Sequence, residues 1–386
     1  MIFTAPQIHD GHRFLPAGSC IETDASGEVV AIHAADAGAI PDRFFDRGIL
    51  CPGFVNAHCH LELSHLKGVI PEGTGLMVFL QLVMQQRTAT DAARQTARQQ
   101  AFDALYQAGV VAIGDIANTN DALDLRASGK MVFHTFVETS GFIPQTAGYR
   151  MDTARTVWQD YASQSETLGL HQQSITPHAP YSVSPELFRM IGTAPETSRL
   201  SVHSGESEDE RELYRDGSGG VNGLFQSLGL DISFFEPYGQ DALDVWPQWL
   251  PTEKPLMLVH NTTTTEAEVQ AIEARFPETY WCLCPNANRY IEGRLPDVAM
   301  LRRITKDICI GTDSLASNHQ LSVLGELQLL KALVPELTWE ELLRWATWNG
   351  AQALGLEQTI GSFKAGATPG VVWIEEPVLG EAVRVG

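Results

Sequence analysis

Eight nearly continuous apolar runs lie along the middle of the chain, separated by longer segments with helical periodicity. The runs cover residues 49–58, 109–116, 131–139, 173–178, 199–206, 255–261, 279–285 and 307–313. A run of this kind is typical of a strand buried on both faces, as in a parallel sheet covered by helices. Eight such strands alternating with helices predict an α/β fold of the (β/α)8 TIM-type barrel class.

A doubly wound open sheet is the alternative fold for such an alternation. Its dinucleotide-binding form opens the first helix with a GxGxxG turn, and the sequence has no such turn after its first predicted strand. The barrel is therefore favoured.

The two ends of the chain have a different pattern, with short extended stretches broken by Gly, Pro and Asp. They predict a small β-sandwich domain built from residues 1–48 and 362–386, beside a barrel formed by residues 49–361. The acidic stretch 207–253 is too long for a simple crossover, so it predicts a helix together with a lid or a dimer contact.

Composition excludes several classes of partner. The chain has 26 Lys and Arg against 47 Asp and Glu, a formal net charge of −21, and such a surface repels nucleic acid and anionic lipid. No window has the ~20 apolar residues of a membrane-spanning helix, and the N-terminal residues lack a secretory signal pattern. Six scattered cysteines predict reduced thiols and a cytoplasmic location. We therefore expect a small-molecule substrate and consider a homodimer.

Histidines and acidic residues stand where the predicted strands end, which is where barrel active sites form. His58 and His60 are separated by one residue, so on a strand their side chains point the same way. The other polar residues at strand ends are His178, His203 with Glu206 three residues on, His260 and Asp313.

Three imidazoles and one carboxylate, from His58, His60, His203 and Asp313, predict one bound divalent ion. This donor set suits Zn²⁺ best, with Fe²⁺ as the second choice, and an ion held by it would lower the pKa of a bound water to about 7. Glu206 has the spacing of a proton shuttle, and His260 could orient the water. Asp313 could also accept a hydrogen bond from the same water.

Several motifs resemble those of the amidohydrolase superfamily. GFVNAHCH resembles its first metal motif, HSGE at 203–206 its HxxE, and GTDS at 311–314 its final-strand aspartate motif. TPHAPYSVSPEL and CPNANRYI are similar to segments of its metal-dependent deaminase branch, and the closing helix and strand also match. The continuation HLELS is closest to aminofutalosine deaminases, with adenosylhomocysteine-type deaminases next.

The resemblance implies the same four ligands, Glu206 as proton shuttle, His260 as water-orienting residue and His178 as a substrate contact. Members with two metal ions bridge them with a carboxylated lysine or a glutamate. No lysine ends strand four here, so a single ion is favoured, and Glu138 is expected to bind substrate or support the site. Glu62, beside the ligand strand, and Arg289, in CPNANRYI, are further candidate substrate contacts.

These residues favour hydrolytic deamination of an aminated purine nucleoside. The first candidate substrate is 6-amino-6-deoxyfutalosine of a menaquinone pathway, followed by 5′-deoxyadenosine, methylthioadenosine and adenosylhomocysteine. Other amidohydrolase reactions are the alternative within the same class: chlorohydrolase, iminohydrolase or amidase chemistry on an N-heteroaromatic or other C–N substrate. A non-catalytic metal-binding scaffold is the alternative from another class.

Overall fold

The computed structural model describes residues 1–386. Its strands are β1 (Ile2–Thr4), β2 (Gln7–Ile8), β3 (Cys20–Thr23), β4 (Val29–His33), β5 (Arg43–Phe44), β6 (Ile49–Pro52), β7 (Phe54–Cys59), β8 (Val110–Ala117), β9 (Val132–Thr139), β10 (Gln172–Pro177), β11 (Leu200–Ser204), β12 (Leu256–His260), β13 (Thr279–Leu283), β14 (Ile308–Ile310), β15 (Val371–Ile374) and β16 (Ala382–Arg384). Its α-helices are α1 (Leu76–Gln86), α2 (Asp91–Gln107), α3 (Leu123–Ala127), α4 (Ala147–Leu168), α5 (Pro185–Thr193), α6 (Glu208–Asp216), α7 (Val221–Ser227), α8 (Ala242–Val245), α9 (Glu266–Arg275), α10 (Pro285–Glu292), α11 (Val298–Ile304), α12 (Val323–Leu333), α13 (Trp339–Arg344) and α14 (Gly350–Leu354).

Eight parallel strands form two four-stranded sheets, ordered β10-β9-β8-β7 and β11-β12-β13-β14. The strands are buried along almost their whole length, as the continuous apolar runs predict. The α/β class and the eight strand positions predicted from the sequence are therefore present, and most helices lie between consecutive strands.

The two parallel sheets adjoin at both of their edges. At one edge the backbone N–H of Thr312 donates to His58 O at 3.0 Å, and Cys59 forms a parallel bridge with Asp313. At the other edge the backbone N–H of His203 donates to His178 O at 3.0 Å. These contacts bring the carboxyl ends of the first, fourth, fifth and last parallel strands to one place.

The chain termini form two smaller sheets. One has the order β4-β3-β1-β5, and the other has the order β16-β15-β6-β2, so the second combines strands from both ends of the chain. A cluster of eight buried apolar residues, including Phe3, Leu50 and Val371, also draws on both ends.

The predicted strand 49–58 is wrong as a single element. Its first half is β6, which pairs with β15 and β2 in the terminal sheet, and its second half is β7, which pairs with β8. Gly53 lies between the halves, where a Cβ would fall 2.2 Å from Val111 Cγ1 and 2.7 Å from Pro369 O. Both halves are buried on both faces, so hydrophobicity alone does not show the break.

The acidic stretch 207–253 contains α6, α7 and α8, and its middle part borders a cavity at the carboxyl ends of the parallel strands. No helix of the chain has both the length and the apolar character required to cross a membrane. All six cysteines are buried and free of disulfides.

Candidate metal and active site

Four side chains from three strand ends converge at the carboxyl edge of the parallel sheets. His60 Nε2 lies 3.2 Å from His58 Nε2 and 3.3 Å from His203 Nε2. Asp313 Oδ1 is 3.4 Å from His60 Nε2 and 3.7 Å from His58 Nε2. His58 and His60 point the same way from β7, because they are two residues apart on a strand, while Cys59 between them faces away.

Two hydrogen bonds with neighbouring groups orient side chains of this cluster. His203 Nδ1 donates to the backbone oxygen of His178 at 3.0 Å, which leaves its Nε2 lone pair facing the other histidines. The hydroxyl of Ser317 donates to Asp313 Oδ2, so Oδ1 is the oxygen turned toward the histidines. Metal sites in proteins depend on such second contacts to set the tautomer and direction of each ligand.

Burial keeps the imidazoles of the cluster in the form that binds a cation. Desolvation lowers the pKa of His58, lowers that of His60 to about 3, and lowers that of His203 well below its ordinary value. Burial alone would raise the pKa of Asp313, but the nearby His58, His60 and His260 outweigh it and lower that pKa. Neutral imidazoles and an ionised carboxylate are the deprotonated forms that a divalent ion requires.

The donor set fits a divalent metal ion. The nitrogens of His58, His60 and His203 lie within 4.8 Å of one another, and nitrogens of His58 and His260 with a carboxylate oxygen of Asp313 form an equally close group. Lone pairs directed at each other inside a protein repel unless a cation lies between them, so the packing itself indicates a cation site.

The backbone around the cluster takes the left-handed conformation at three non-glycine residues. The φ angles are 77° at His260, 59° at Asn261 and 55° at Asp313. Such positions cost energy for residues with a Cβ and are concentrated at functional sites, where the rest of the fold holds them. They place the His260 ring and the Asp313 carboxylate beside the histidine cluster.

Glu206 and His260 form a pair beside the cluster. Glu206 Oε1 lies 3.5 Å from His260 Nε2, and both side chains are almost fully buried. Burial raises the pKa of Glu206 to about 7, although the nearby His260 opposes the rise. A carboxyl group with a pKa near neutrality can both accept and return a proton at physiological pH.

A cavity of about 350 Å³ opens onto this pair and onto His60, His203 and Asp313. One wall is apolar and comes from α1 and from α7 with the segment after it. The apolar residues of this wall are Leu76, Phe79, Leu80, Val83, Met84, Leu224, Phe225, Leu228 and Leu230.

Another wall of the cavity is polar and contains three of the predicted substrate contacts, Glu62, Glu138 and His178. Asn118 Nδ2 donates to Glu62 Oε1 at 3.0 Å and to Glu138 Oε2 at 3.2 Å, and Arg87 donates to Glu62 Oε1 at 3.0 Å. Burial raises the pKa of Glu62 and raises that of Glu138 to about 7. This wall offers hydrogen-bond acceptors to a polar part of a bound molecule.

Glu138 also approaches the far side of a ligand ring, with Oε1 3.4 Å from His203 Nδ1. That nitrogen already donates to His178 O, so it is not free to bind a second ion.

Arg289 does not join the site. It is exposed on α10 and does not line the cavity, whereas its neighbour Asn288 is buried and hydrogen-bonded to His260 Nδ1 at 2.9 Å. Successive helix residues point about 100° apart, so only one of the two can face the strand ends. Asn288, Asn118, Arg87 and Ser317 were missed from the sequence, and of these only Asn288 lay in a motif that had been singled out.

Residues 49–376 match the amidohydrolase family, and the chain belongs to that family. The prediction of a hydrolase acting on carbon–nitrogen bonds is therefore confirmed, together with the resemblance from which it came. Among curated relatives, an adenosine deaminase of Helicobacter pylori is 27% identical over 320 residues, covering 81% of this chain and 76% of the relative.

Solved structures of the same architecture are similar over nearly the whole chain. The aminofutalosine deaminase of Helicobacter pylori in complex with methylthio-coformycin has a TM-score of 0.79 at 21% identity, covering 99% of this chain and 97% of that one. An adenosine deaminase from Xanthomonas campestris with bound zinc has a TM-score of 0.75 at 22% identity, covering 97% and 84%. These neighbours imply a TIM-type barrel.

Proposed function

We propose that the protein is a hydrolytic deaminase of an aminated purine nucleoside, with a single divalent ion held by His58, His60, His203 and Asp313. The observation that carries this proposal is the Glu206–His260 pair, which lines the same cavity as the ligands His60, His203 and Asp313. The deaminases among the relatives and structural neighbours support the same reaction.

A divalent ion in this position would act as a Lewis acid and would lower the pKa of a coordinated water. Zn²⁺ is the first choice for three imidazoles and one carboxylate, and Fe²⁺ is the second. The zinc-containing neighbour supports this order. The hydrogen bond from His203 Nδ1 to His178 O supports one ion rather than two, since it occupies the nitrogen that faces Glu138.

The residues of the chain divide the proton transfers between them. Glu206 Oε1 accepts a proton from the attacking water and delivers it to the ring nitrogen next to the amine-bearing carbon. His260 Nε2 holds the water in line with that carbon, and Asp313 accepts a hydrogen bond from it. Addition of water leaves a hydroxyl group and the amine on the same carbon. The hydroxyl proton then passes to the amine, the C–N bond breaks, and ammonia leaves as that carbon becomes a carbonyl.

Within this class, 6-amino-6-deoxyfutalosine is our first candidate substrate, and 5′-deoxyadenosine, methylthioadenosine and adenosylhomocysteine follow. The polar wall formed by Glu62, Glu138 and His178 suits sugar hydroxyls, and the apolar wall suits the rest of a nucleoside. The chlorohydrolase, iminohydrolase and amidase reactions use the same ion and cavity and remain the alternatives. A non-catalytic scaffold would have no need of the Glu206–His260 pair.

We infer further that the two parallel sheets close into one barrel of residues 49–361, because hydrogen bonds join them at both edges. The terminal segments 1–48 and 362–386, with β6 added to them, would form the small β-sandwich domain. The homodimer and the cytoplasmic location stay predictions.

The test is ammonia release from a panel of aminated purine nucleosides and pterins by zinc-loaded protein. We expect release from at least one adenosine-type nucleoside, and a loss of about 100-fold or more in kcat for Glu206→Gln with unchanged zinc content. Glu208→Gln is the matched control, because Glu208 is 57% exposed on the neighbouring helix. Absence of release from every nucleoside, or full activity of Glu206→Gln, would refute the proposal.

A further inference from the structure

The side-chain amide of Asn288 can face His260 in only one orientation. Its Nδ2 donates to the backbone oxygen of His260 at 3.1 Å and to Thr262 Oγ1 at 2.8 Å. Its Oδ1 is then left 2.9 Å from His260 Nδ1. The three groups are buried, with Asn288 only 2% exposed, so water does not compete for these contacts.

The reversed amide would be penalised at one contact. The backbone oxygen of His260 has no proton to donate, so it would meet the amide oxygen of Asn288 across about 3 Å. An unmatched buried polar contact destabilises a protein by about 1–3 kcal/mol. The Thr262 hydroxyl can donate or accept and so adapts to either orientation, and the backbone oxygen of His260 alone fixes the direction of the amide.

We infer that Asn288 is a positioning residue that selects the tautomer of His260. With Oδ1 accepting from Nδ1–H, the neutral ring must carry its lone pair on Nε2, the atom 3.5 Å from Glu206 Oε1. In this tautomer Nε2 accepts a hydrogen bond from Glu206 or from the attacking water. In the other tautomer Nε2–H could only donate, and the pair could no longer orient the water by accepting from it.

The placement of these residues fits this role. Asn288 lies in the first turn of α10, directly after β13, and Thr262 follows the left-handed pair His260 and Asn261 at the end of β12. The hydrogen bonds of Asn288 thus join the ends of two neighbouring strands. They hold the ring of His260, a residue whose backbone is in the left-handed conformation. The inference rests on the proposed deaminase reaction for its effect on turnover, but the tautomer itself can be measured without turnover.

The experiment compares zinc-loaded wild-type protein with Asn288→Ala and Thr262→Val, using selective ¹⁵N labelling of histidine. The ring-nitrogen chemical shifts of His260, assigned from their disappearance in His260→Gln, report which nitrogen is protonated. Thr262→Ser keeps the hydroxyl and is the conservative variant. Thr264→Val is the matched control, because Thr264 is also buried and its Oγ1 has no hydrogen-bond partner.

We expect Nδ1–H in the wild type, in both Thr262 variants and in Thr264→Val, because the backbone oxygen of His260 still directs the Asn288 amide in each of them. In Asn288→Ala we expect a shift toward Nε2–H, with kcat about 10- to 100-fold lower, KM little changed and zinc content unchanged. A His260 tautomer that is the same in all five proteins would overturn the inference, as would a loss of activity in Asn288→Ala that Thr264→Val shares. If no protein releases ammonia but the tautomer still shifts, the proposed function fails and the positioning role stands.

Discussion

Ser317 shows how much a single hydroxyl can matter at this site. Asp313 has two carboxylate oxygens, and Ser317 occupies Oδ2, so that Oδ1 alone faces His58 and His60. A carboxylate that rotates freely would lose part of this preorganisation.

We therefore expect Ser317→Ala to weaken zinc binding by about 10- to 100-fold, measured by competition with a chelator of known affinity. Ser201→Ala is the matched control, because Ser201 is equally buried but its hydroxyl donates no hydrogen bond. The free energy of unfolding of both metal-free variants should stay close to the wild-type value. Equal zinc affinities for Ser317→Ala and Ser201→Ala would contradict the role given to Ser317.

Residue-scale predictions from the sequence worked where spacing along one strand decides geometry and failed where distant elements meet. The His58–Cys59–His60 alternation needs only the two-residue period of a strand, so their convergence could be predicted. Arg289 lies in the same motif as Asn288, but the motif does not show which of its residues the helix α10 turns toward the strand ends. Arg289 is exposed to solvent. The contacts of Asn118 with Glu62 and Glu138 join residues 20 and 56 positions apart, and no local pattern reports them.

At the scale of elements, continuous apolar runs gave the right number of parallel strands because strands buried on both faces show little alternation. Burial on both faces also explains why the break at Gly53 could not be predicted. The strands β6 and β7 are both buried along their whole length, although they belong to different sheets. The helices of the stretch 207–253 were predicted only in outline, because their role depends on packing against α1.

The apolar wall of the cavity forms where α1 packs against α7 and the segment after it. We expect substitutions in this wall to change KM more than kcat. Leu228, the residue directly after α7, lines the cavity and is 40% exposed, so its replacement should leave the core intact. We expect Leu228→Asp to raise KM for the best nucleoside about 10-fold with a smaller change in kcat, in steady-state ammonia assays. Leu379→Asp, at a residue 89% exposed near the C-terminus, should behave as wild type. An unchanged KM in Leu228→Asp would show that this wall does not contact the substrate.

At the scale of the whole molecule, buried histidines and buried carboxyl groups outside the set of metal ligands have opposite effects on how stability changes with pH. Burial lowers the pKa of His9 and His171 to about 4 and of His134 to about 3. The unfolded chain therefore binds more protons than the folded protein as the pH falls below about 6.5. These histidines stabilise the fold above that pH, and their contribution is lost progressively on acidification.

Buried carboxyl groups have the opposite effect on the change of stability with pH. Burial raises the pKa of Asp115, Glu210 and Glu326 to about 8, so between the ordinary carboxyl pKa and about pH 8 the folded protein keeps protons that the unfolded chain releases. Stability from these groups falls as the pH rises through this window. The histidines no longer titrate above about pH 7, so the carboxyl groups dominate there, and we expect the free energy of unfolding of metal-free protein to fall as the pH rises from about 7 to 8.

Glu326 allows the contribution of one carboxyl group to this alkaline decline to be measured. Its oxygens accept from Asn318 Nδ2 at 2.9 Å and from the backbone N–H of Asn286 at 2.8 Å, and a glutamine can keep one of these contacts without ionising. Between pH 7 and 8, Glu326→Gln should reduce the loss of unfolding free energy by up to about 1.4 kcal/mol per pH unit, measured by urea denaturation. Glu166→Gln, at an exposed position on α4, should keep the wild-type slope. Parallel pH profiles for Glu326→Gln and the wild type would mean that Glu326 is already ionised in the folded protein.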